Sequence, residues 1–140
     1  MSDAKKRVTA SFNAQGLMQT LGAELVHVAD GEVHIALWPR PELTQQHGYV
    51  HAGAITSAVD SACGYAALTL APAEHDVLTV EFKVNFMRPA GGDRILTVGK
   101  VIKPGKTISV CQGEVIGERE GKHTSIALMQ ATMMLAPRSD

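Results

Sequence analysis

The run from Gln45 to Leu70, QQHGYVHAGAITSAVDSACGYAALTL, constrains the fold of this chain more than any other stretch. Between Glu42 and Glu74 one side chain carries a full charge at neutral pH, the carboxylate of Asp60. From about His51 to Leu70 the residues are Ala-rich and suit a helix, with Gly53 and Gly64 its weak points in propensity. A surface helix sets a charged face against an apolar stripe, and this one has no charged face. It is therefore predicted to be buried nearly all round, its Ala, Gly and Ser residues letting neighbouring backbone come close. An ionised carboxylate on such a helix is costly unless it is paired, hydrogen-bonded or open to a cleft. Asp60 is thus either a structural Asp bonded to a strand or a partner subunit, or a group at a functional cleft.

The residues before the helix, His47-Gly48-Tyr49-Val50-His51-Ala52-Gly53, put imidazoles and flexible backbone at its N-terminus. Free N–H groups and the positive end of the helix dipole there favour developing negative charge. His51 and Asp60 lie nine positions apart, roughly 13 Å along one helix. They cannot meet on that helix, so a site using both combines two copies of it. A homodimer is part of that expectation.

A chain of 140 residues is read as one domain, residues 1–140, long enough for a single core. A formal charge of −1 and a pI near 6.6, without a Lys/Arg-rich run, argue against nucleic acid as a partner. Lys5-Lys6-Arg7 is followed by TASFNAQG, too polar for a signal peptide. The stretch after His51 has the length of a membrane span, but Asp60 and its Ser, Thr, Gly and Ala residues argue against insertion. No membrane partner and a cytoplasmic location are expected. Cys63 and Cys111 are too few for a disulfide framework or a metal motif and are read as core thiols. The six His form no HExxH-type cluster, so neither a metal nor a cofactor is expected.

In chain order, Phe12, Leu17, Met18 and Leu21 suggest an amphipathic helix over about Val8–Leu21, ended by Gly22. Ala23–Ala29 and Glu32–Trp38 flank Asp30-Gly31, the strongest hairpin signal in the chain. Trp38-Pro39-Arg40-Pro41 stops that strand. After the central helix, Pro72 and the segment Ala73–His75 mark a loop. Val77–Met87 alternates, predicting a half-buried strand with Val80, Phe82, Val84 and Phe86 on one face and Thr79, Glu81, Lys83 and Asn85 on the other. Arg88–Asp93 is a turn. Arg94–Ile102, Thr107–Ile116 and Ser125–Leu135 read as three more strands, separated by Pro104-Gly105-Lys106 and the charged tip Glu118–His123. The expected class is α+β, an antiparallel sheet wrapped around one long central helix.

Three signals in this order give the chain, over essentially its whole length, a resemblance to a known family. They are His51-Ala52-Gly53 followed by Asp60, the strand ending Asn85-Phe86-Met87-Arg88-Pro89-Ala90, and Gly105-Lys106-Thr107 in the next hairpin. The chain resembles the hotdog-fold acyl-CoA thioesterases of the PaaI type, related to phenylacetate-pathway enzymes. The resemblance implies a hotdog fold and hydrolysis of an acyl-CoA thioester, with coenzyme A part of the substrate. It also implies a homodimer or homotetramer with sites at the subunit interface.

By that resemblance the backbone N–H of Ala52 polarises the thioester carbonyl; the family commonly has Gly there, and Ala keeps the N–H while adding a methyl. Gln45 falls on the family's side-chain amide contact, one methylene longer than the frequent Asn and next to Gln46. Asp60 falls on the acidic residue, as general base or nucleophile, and Thr79 on the residue that positions water. His51 orients the carbonyl-binding geometry. Gly53, Tyr49, Arg88, Gly105 and Lys106 are the substrate-binding candidates, the last two beside the CoA pantetheine and diphosphate.

Each residue has a plainer reading: His51 as a helix cap, Thr79 as an ordinary strand Thr, Tyr49 as a packing aromatic, and Arg88 and Lys106 as solvated charges. Ser61 and Cys63 flank Asp60 without an evident base, which argues against Ser or Cys nucleophiles. Two other activities remain open to the sequence. One is a hotdog dehydratase or hydratase, although HGYVHAG lacks the Pro and Phe of their loops; the other is a non-catalytic acyl-CoA binding module. Medium-chain or aryl acyl groups are the expected substrates.

Overall fold

The computed structural model describes residues 1–139. Helices α1 (Asp3–Ala14) and α2 (Gly16–Leu21) lead into strands β1 (Glu24–Ala29) and β2 (Glu32–Leu37). A short 3₁₀ turn, Pro41–Leu43, precedes helix α3 (Ala52–Thr69). Strands β3 (His75–Phe86), β4 (Arg94–Lys103), β5 (Ile108–Arg119) and β6 (Lys122–Pro137) follow. The strands form one antiparallel sheet in the order β1-β2-β4-β5-β6-β3, leaving β1 and β3 as its edges. The α+β architecture expected from the sequence is the one observed, with α3 lying across the inner face of the sheet.

Ile55, Ala58, Val59, Ala62, Cys63 and Ala66 of α3 are fully buried, as a helix without a charged face requires. They meet Val33, Ile35, Leu37, Ile95, Val115 and Met133 from four strands. The closest approach is made by glycine. Gly99 and Gly113 are direct partners across β4 and β5. A Cβ built on Gly99 would lie 2.3 Å from the carbonyl carbon of Ala62, and one on Gly113 would lie 2.5 Å from Val59 Cγ2. These two positions cut a notch that seats the helix backbone on the sheet.

Two expectations at the N-terminus change. The single helix over Val8–Leu21 is two, starting at Asp3 behind a Ser2 cap and broken at Gln15, whose backbone is extended. Arg7, grouped with the lysines in sequence, reaches across to the C-terminus of α3. Its guanidinium donates to the carbonyls of Leu68, Ala71 and Pro72 at 3.0–3.2 Å, pairing the carbonyls that follow the helix end and adding a second donor to Leu68 O, which also accepts from Ala71 N–H. The Asp30-Gly31 hairpin forms as expected, pairing Ala29 with Glu32.

The reading of β3 is corrected in two respects. It begins at His75, inside the expected loop, and a bulge at Val80 breaks its alternation. Thr79 pairs with Met133, whereas Phe82, Val84 and Phe86 pair with Ala131, Met129 and Ala127. All four therefore share the helix-facing side, and Thr79 is not on the face opposite Phe82. The strand is also less buried than expected: Leu78 and Val80 are each 56% exposed and Phe82 43%, because β3 is an edge.

Replacing Gly99 by Ala should cost about 2–3 kcal/mol, since the new methyl meets backbone that cannot rotate away. Gly16→Ala, in open space at a helix start, should stay within about 1 kcal/mol of wild type. Chemical denaturation of the two variants tests the comparison.

Candidate active site

Helix α3 carries one set of polar groups at its start and another near its middle. At its start His51 is the N-cap, and its Nδ1 accepts from Gly53 N–H at 2.7 Å. In the neutral imidazole Nδ1 is thereby an acceptor and Nε2 holds the proton, so the Nδ1 lone pair is committed to the helix cap. Gly53 N–H is consumed by this bond. The preceding amide, Ala52 N–H, has no hydrogen-bond partner among the described residues and stands at the positive end of the helix.

The loop before the helix is held by Gln45. Its Oε1 accepts from His47 N–H at 2.6 Å and Tyr49 N–H at 3.3 Å, and its own backbone N–H donates to Tyr49 O at 2.8 Å. These bonds fix which side-chain atom is oxygen and leave the Nε2 group as a donor. Gly48 adopts φ 89°, which closes the loop. His51 N–H to Leu43 O and Val50 N–H to Ala90 O tie both sides of the loop to the body. Gln45, Tyr49, His51 and Ala52 line an open cleft of about 680 Å³ with Phe86 and Arg88.

Asp60 lies eight residues beyond Ala52, about 12 Å along the axis, on a separate cavity of about 320 Å³. Thr79 Oγ1 donates to Asp60 Oδ1 at 2.8 Å, a contact that the Val80 bulge makes possible. Partial burial pushes the Asp60 carboxyl above the usual carboxylate range, and the Thr79 bond opposes that shift. Gly64, one turn on, leaves the cavity floor open: a Cβ added there would meet nothing within 4 Å.

The cysteine and serine side chains nearest Asp60 are poorly placed as nucleophiles. Burial pushes the Cys63 thiol far up and the Cys111 thiol up to about 11. Both are buried core thiols, as expected from the sequence. Ser61 Oγ donates to Gln15 Oε1, and no imidazole lines this cavity.

Within one chain the structure therefore joins Gln45, Tyr49, His51, Ala52 and Arg88 in one cleft, and Asp60 with Thr79 in another. Gly105 and Lys106 line neither. The need for Gly105 is local: a Cβ there would lie 1.9 Å from Ile108 O. Lys106 is exposed.

Two groups of residues are missing from the sequence-based site. Ser11, Gln15 and Tyr65 build the wall beside Asp60, with Gln15 Nε2 donating to Tyr65 Oη at 2.9 Å and Ser11 Oγ 3.2 Å from the same atom. No local signal marks them, because they meet only when α1 packs on α3. Arg119 faces Arg88 and Tyr49 across a second groove; its place at a charged strand end is the available hint. No helix among the described residues is long and apolar enough to cross a membrane.

Comparison with known proteins agrees with this architecture. A Saccharolobus solfataricus protein named as an inferred esterase is 31% identical over 115 residues, covering 81% of each chain. The crystal structure of a thioesterase family protein from Silicibacter pomeroyi superposes with a TM-score of 0.94 at 43% identity, covering 96% of this chain and 99% of that one. The PaaI protein of the Escherichia coli phenylacetic acid degradation operon shares the fold at 18% identity and a TM-score of 0.87, covering 97% and 95%. Residues 47–122, more than half of the sequence, match the thioesterase superfamily. The chain belongs to the thioesterase superfamily and has its hotdog fold.

Proposed function

We propose that this protein hydrolyses acyl-CoA thioesters, releasing a medium-chain or aryl acid and coenzyme A. The observation that carries the reading is the Thr79–Asp60 hydrogen bond at an open cavity on the central helix. Asp60, with one oxygen bonded to Thr79 and the other without a partner among the described residues, takes a proton from a water held by the Thr79 hydroxyl as the water oxygen adds to the carbonyl carbon, or attacks that carbon itself to form a mixed anhydride that a water then hydrolyses to the free acid. Ala52 N–H and Gln45 Nε2 donate to the oxyanion as the C–S bond breaks and the CoA thiolate leaves. Each such donor is worth about 3 kcal/mol in the transition state. Arg88, with Arg119 near it, supplies positive charge for the CoA phosphates.

Both halves are served by one helix and lie too far apart to act together in one chain. The reading is therefore of a homodimer or homotetramer, in which the helix start of one subunit faces Asp60 of another. The exposed edge strand β3 supports it. Leu78, Val80, Phe82 and Phe86 are 43–56% exposed along a row of unpaired backbone groups, the kind of edge that invites a second strand.

Asp60→Asn should lower kcat by about a thousandfold on an acyl-CoA panel, with folding and CoA binding retained. A wild type that releases no thiol from any acyl-CoA would overturn the reading.

Asp60 acts only when ionised, so activity falls as pH drops through its pKa. Because burial raises that pKa, the acid limb of kcat/KM should lie above the usual carboxylate range. Thr79→Val removes the bond that lowers it and should move the limb to higher pH, which a pH–rate profile reads directly.

Subunit sharing has its own test. Asp60→Asn and Gln45→Ala chains, each weakly active alone, should recover about a quarter of wild-type activity when co-assembled one to one, since half the dimers then hold one intact site. Sites contained within single chains would give no recovery.

A further inference from the structure

The β1–β2 hairpin, at the edge of the sheet opposite to β3, gathers three metal-ligating side chains that the thioesterase reading does not use. Its two-residue turn at Asp30-Gly31 pairs His27 with His34 and Ala29 with Glu32. Val33 and Ile35 point into the core and are fully buried, so Glu32 and His34 alternate onto the outer face of the sheet. His27 stands across from His34, with its ring centroid 4.6 Å away. The bulge beside it, at Val26, falls between the paired positions Leu25 and His27.

We propose that His27, Glu32 and His34 form a binding site for a borderline divalent transition ion, with zinc the expected occupant. One ligand atom from each residue lies within 4.8 Å of the others. His34 Nε2 and Glu32 Oε2 are 2.6 Å apart, sharing a hydrogen bond whose proton the ion replaces. Ligand atoms around tetrahedral zinc stand about 3.3 Å apart. The ion therefore needs the Glu32–His34 contact to open slightly and the His27 ring to close in. Side-chain rotation supplies both movements while the sheet holds the backbone.

Two imidazoles and a carboxylate are a donor set for zinc, nickel or copper, not for calcium or magnesium, which take oxygen ligands. Three protein ligands leave the remaining position to water. His34 and Glu32 are 23% and 33% exposed, dry enough to strengthen the bonds and open enough for entry. Lys100, paired with Glu32 across β2 and β4, is the opposing feature. Its Nζ lies 3.8 Å from Glu32 Oε1, and its 56% exposed side chain swings into solvent when the ion enters. The expectation of no metal rests on contiguous motifs; these ligands converge across a hairpin instead.

The site lies on the face of the sheet away from Asp60, so its occupancy is independent of the catalytic reading. An ion that binds only the folded hairpin raises thermal stability by mass action. The test is calorimetric titration of tag-free, chelator-treated protein with Zn²⁺, alongside Co²⁺ absorption spectra and thermal melts. Wild type should bind one ion per chain, with a visible Co²⁺ band and a raised Tm. His27→Ala and His34→Gln should each weaken binding by about tenfold or more, and Lys100→Met should tighten it. Circular dichroism and thioester hydrolysis should be unchanged in all three. Absence of binding by wild type overturns the proposal, as does wild-type affinity in correctly folded His34→Gln and His27→Ala.

Discussion

The contact on which the rest of this structure depends is the close approach of helix α3 to the sheet at the paired Gly99 and Gly113, the first facing the backbone of Ala62 and Cys63 and the second the side chains of Val59 and Cys63. A helix seated that deeply cannot present charges to the sheet, which accounts for the absence of charge around Asp60. Beyond its C-terminus, Arg7 of α1 reaches the carbonyls of Ala71 and Pro72 and adds a second donor to Leu68 O. The N-terminal helix is thus tied to the central one by a cap at one point and by Phe12, packed edge-on to Tyr65, at another. The same docking brings Gln15 and Ser11 to the wall of the Asp60 cavity. Packing that stabilises the fold and packing that shapes the cavity are the same contacts.

Burial has an electrostatic consequence for Asp60. Removing a carboxylate from water raises its pKa, and a more basic carboxylate is a better proton acceptor near neutral pH, provided it still ionises. The Thr79 hydroxyl provides one hydrogen bond that favours the ionised form. It reaches Asp60 only because Val80 is an extra residue in β3. Strict alternation from Phe82 would turn Thr79 to the outer face. One unpaired residue in an edge strand therefore decides whether the helix carries an isolated acid or a hydrogen-bonded pair.

That bulge also marks the limit of what the sequence discloses. Helix α3, the Asp30-Gly31 hairpin and the β4–β5–β6 meander are legible because propensity, turn chemistry and burial all agree there. The run from Val77 to Phe86 alternates well enough to hide its bulge, since the even-numbered positions from Leu78 to Phe86 are all apolar and read as one unbroken face. The break at Gln15 is marked only by Gly16, a weak helix former that the spacing of Phe12, Leu17, Met18 and Leu21 outweighs. Among the residues that line the candidate clefts, Ala52, Gln45, Asp60 and Thr79 are singled out through the family resemblance, whereas Gln15, Tyr65 and Arg119 enter theirs only through tertiary packing. His27 and His34 are readable in principle: a two-residue turn at Asp30-Gly31 fixes them as partners.

The start and the middle of α3 impose a final constraint. An oxyanion is best received at a helix N-terminus, where free N–H groups and the dipole converge. A carboxylate base sits best where that dipole does not lower its pKa, which is further along the helix. One helix can satisfy both demands only by keeping the two groups about 12 Å apart, beyond the reach of a single carbonyl. Two antiparallel copies remove the conflict, because the start of each then lies beside the middle of the other. The unprotected β3 edge supplies the surface through which such a pair would assemble. On the proposed reading, division of the chemistry along one buried helix and exposure of one apolar edge would follow from the same arrangement: each is a defect in an isolated chain and neither would be in a symmetric pair.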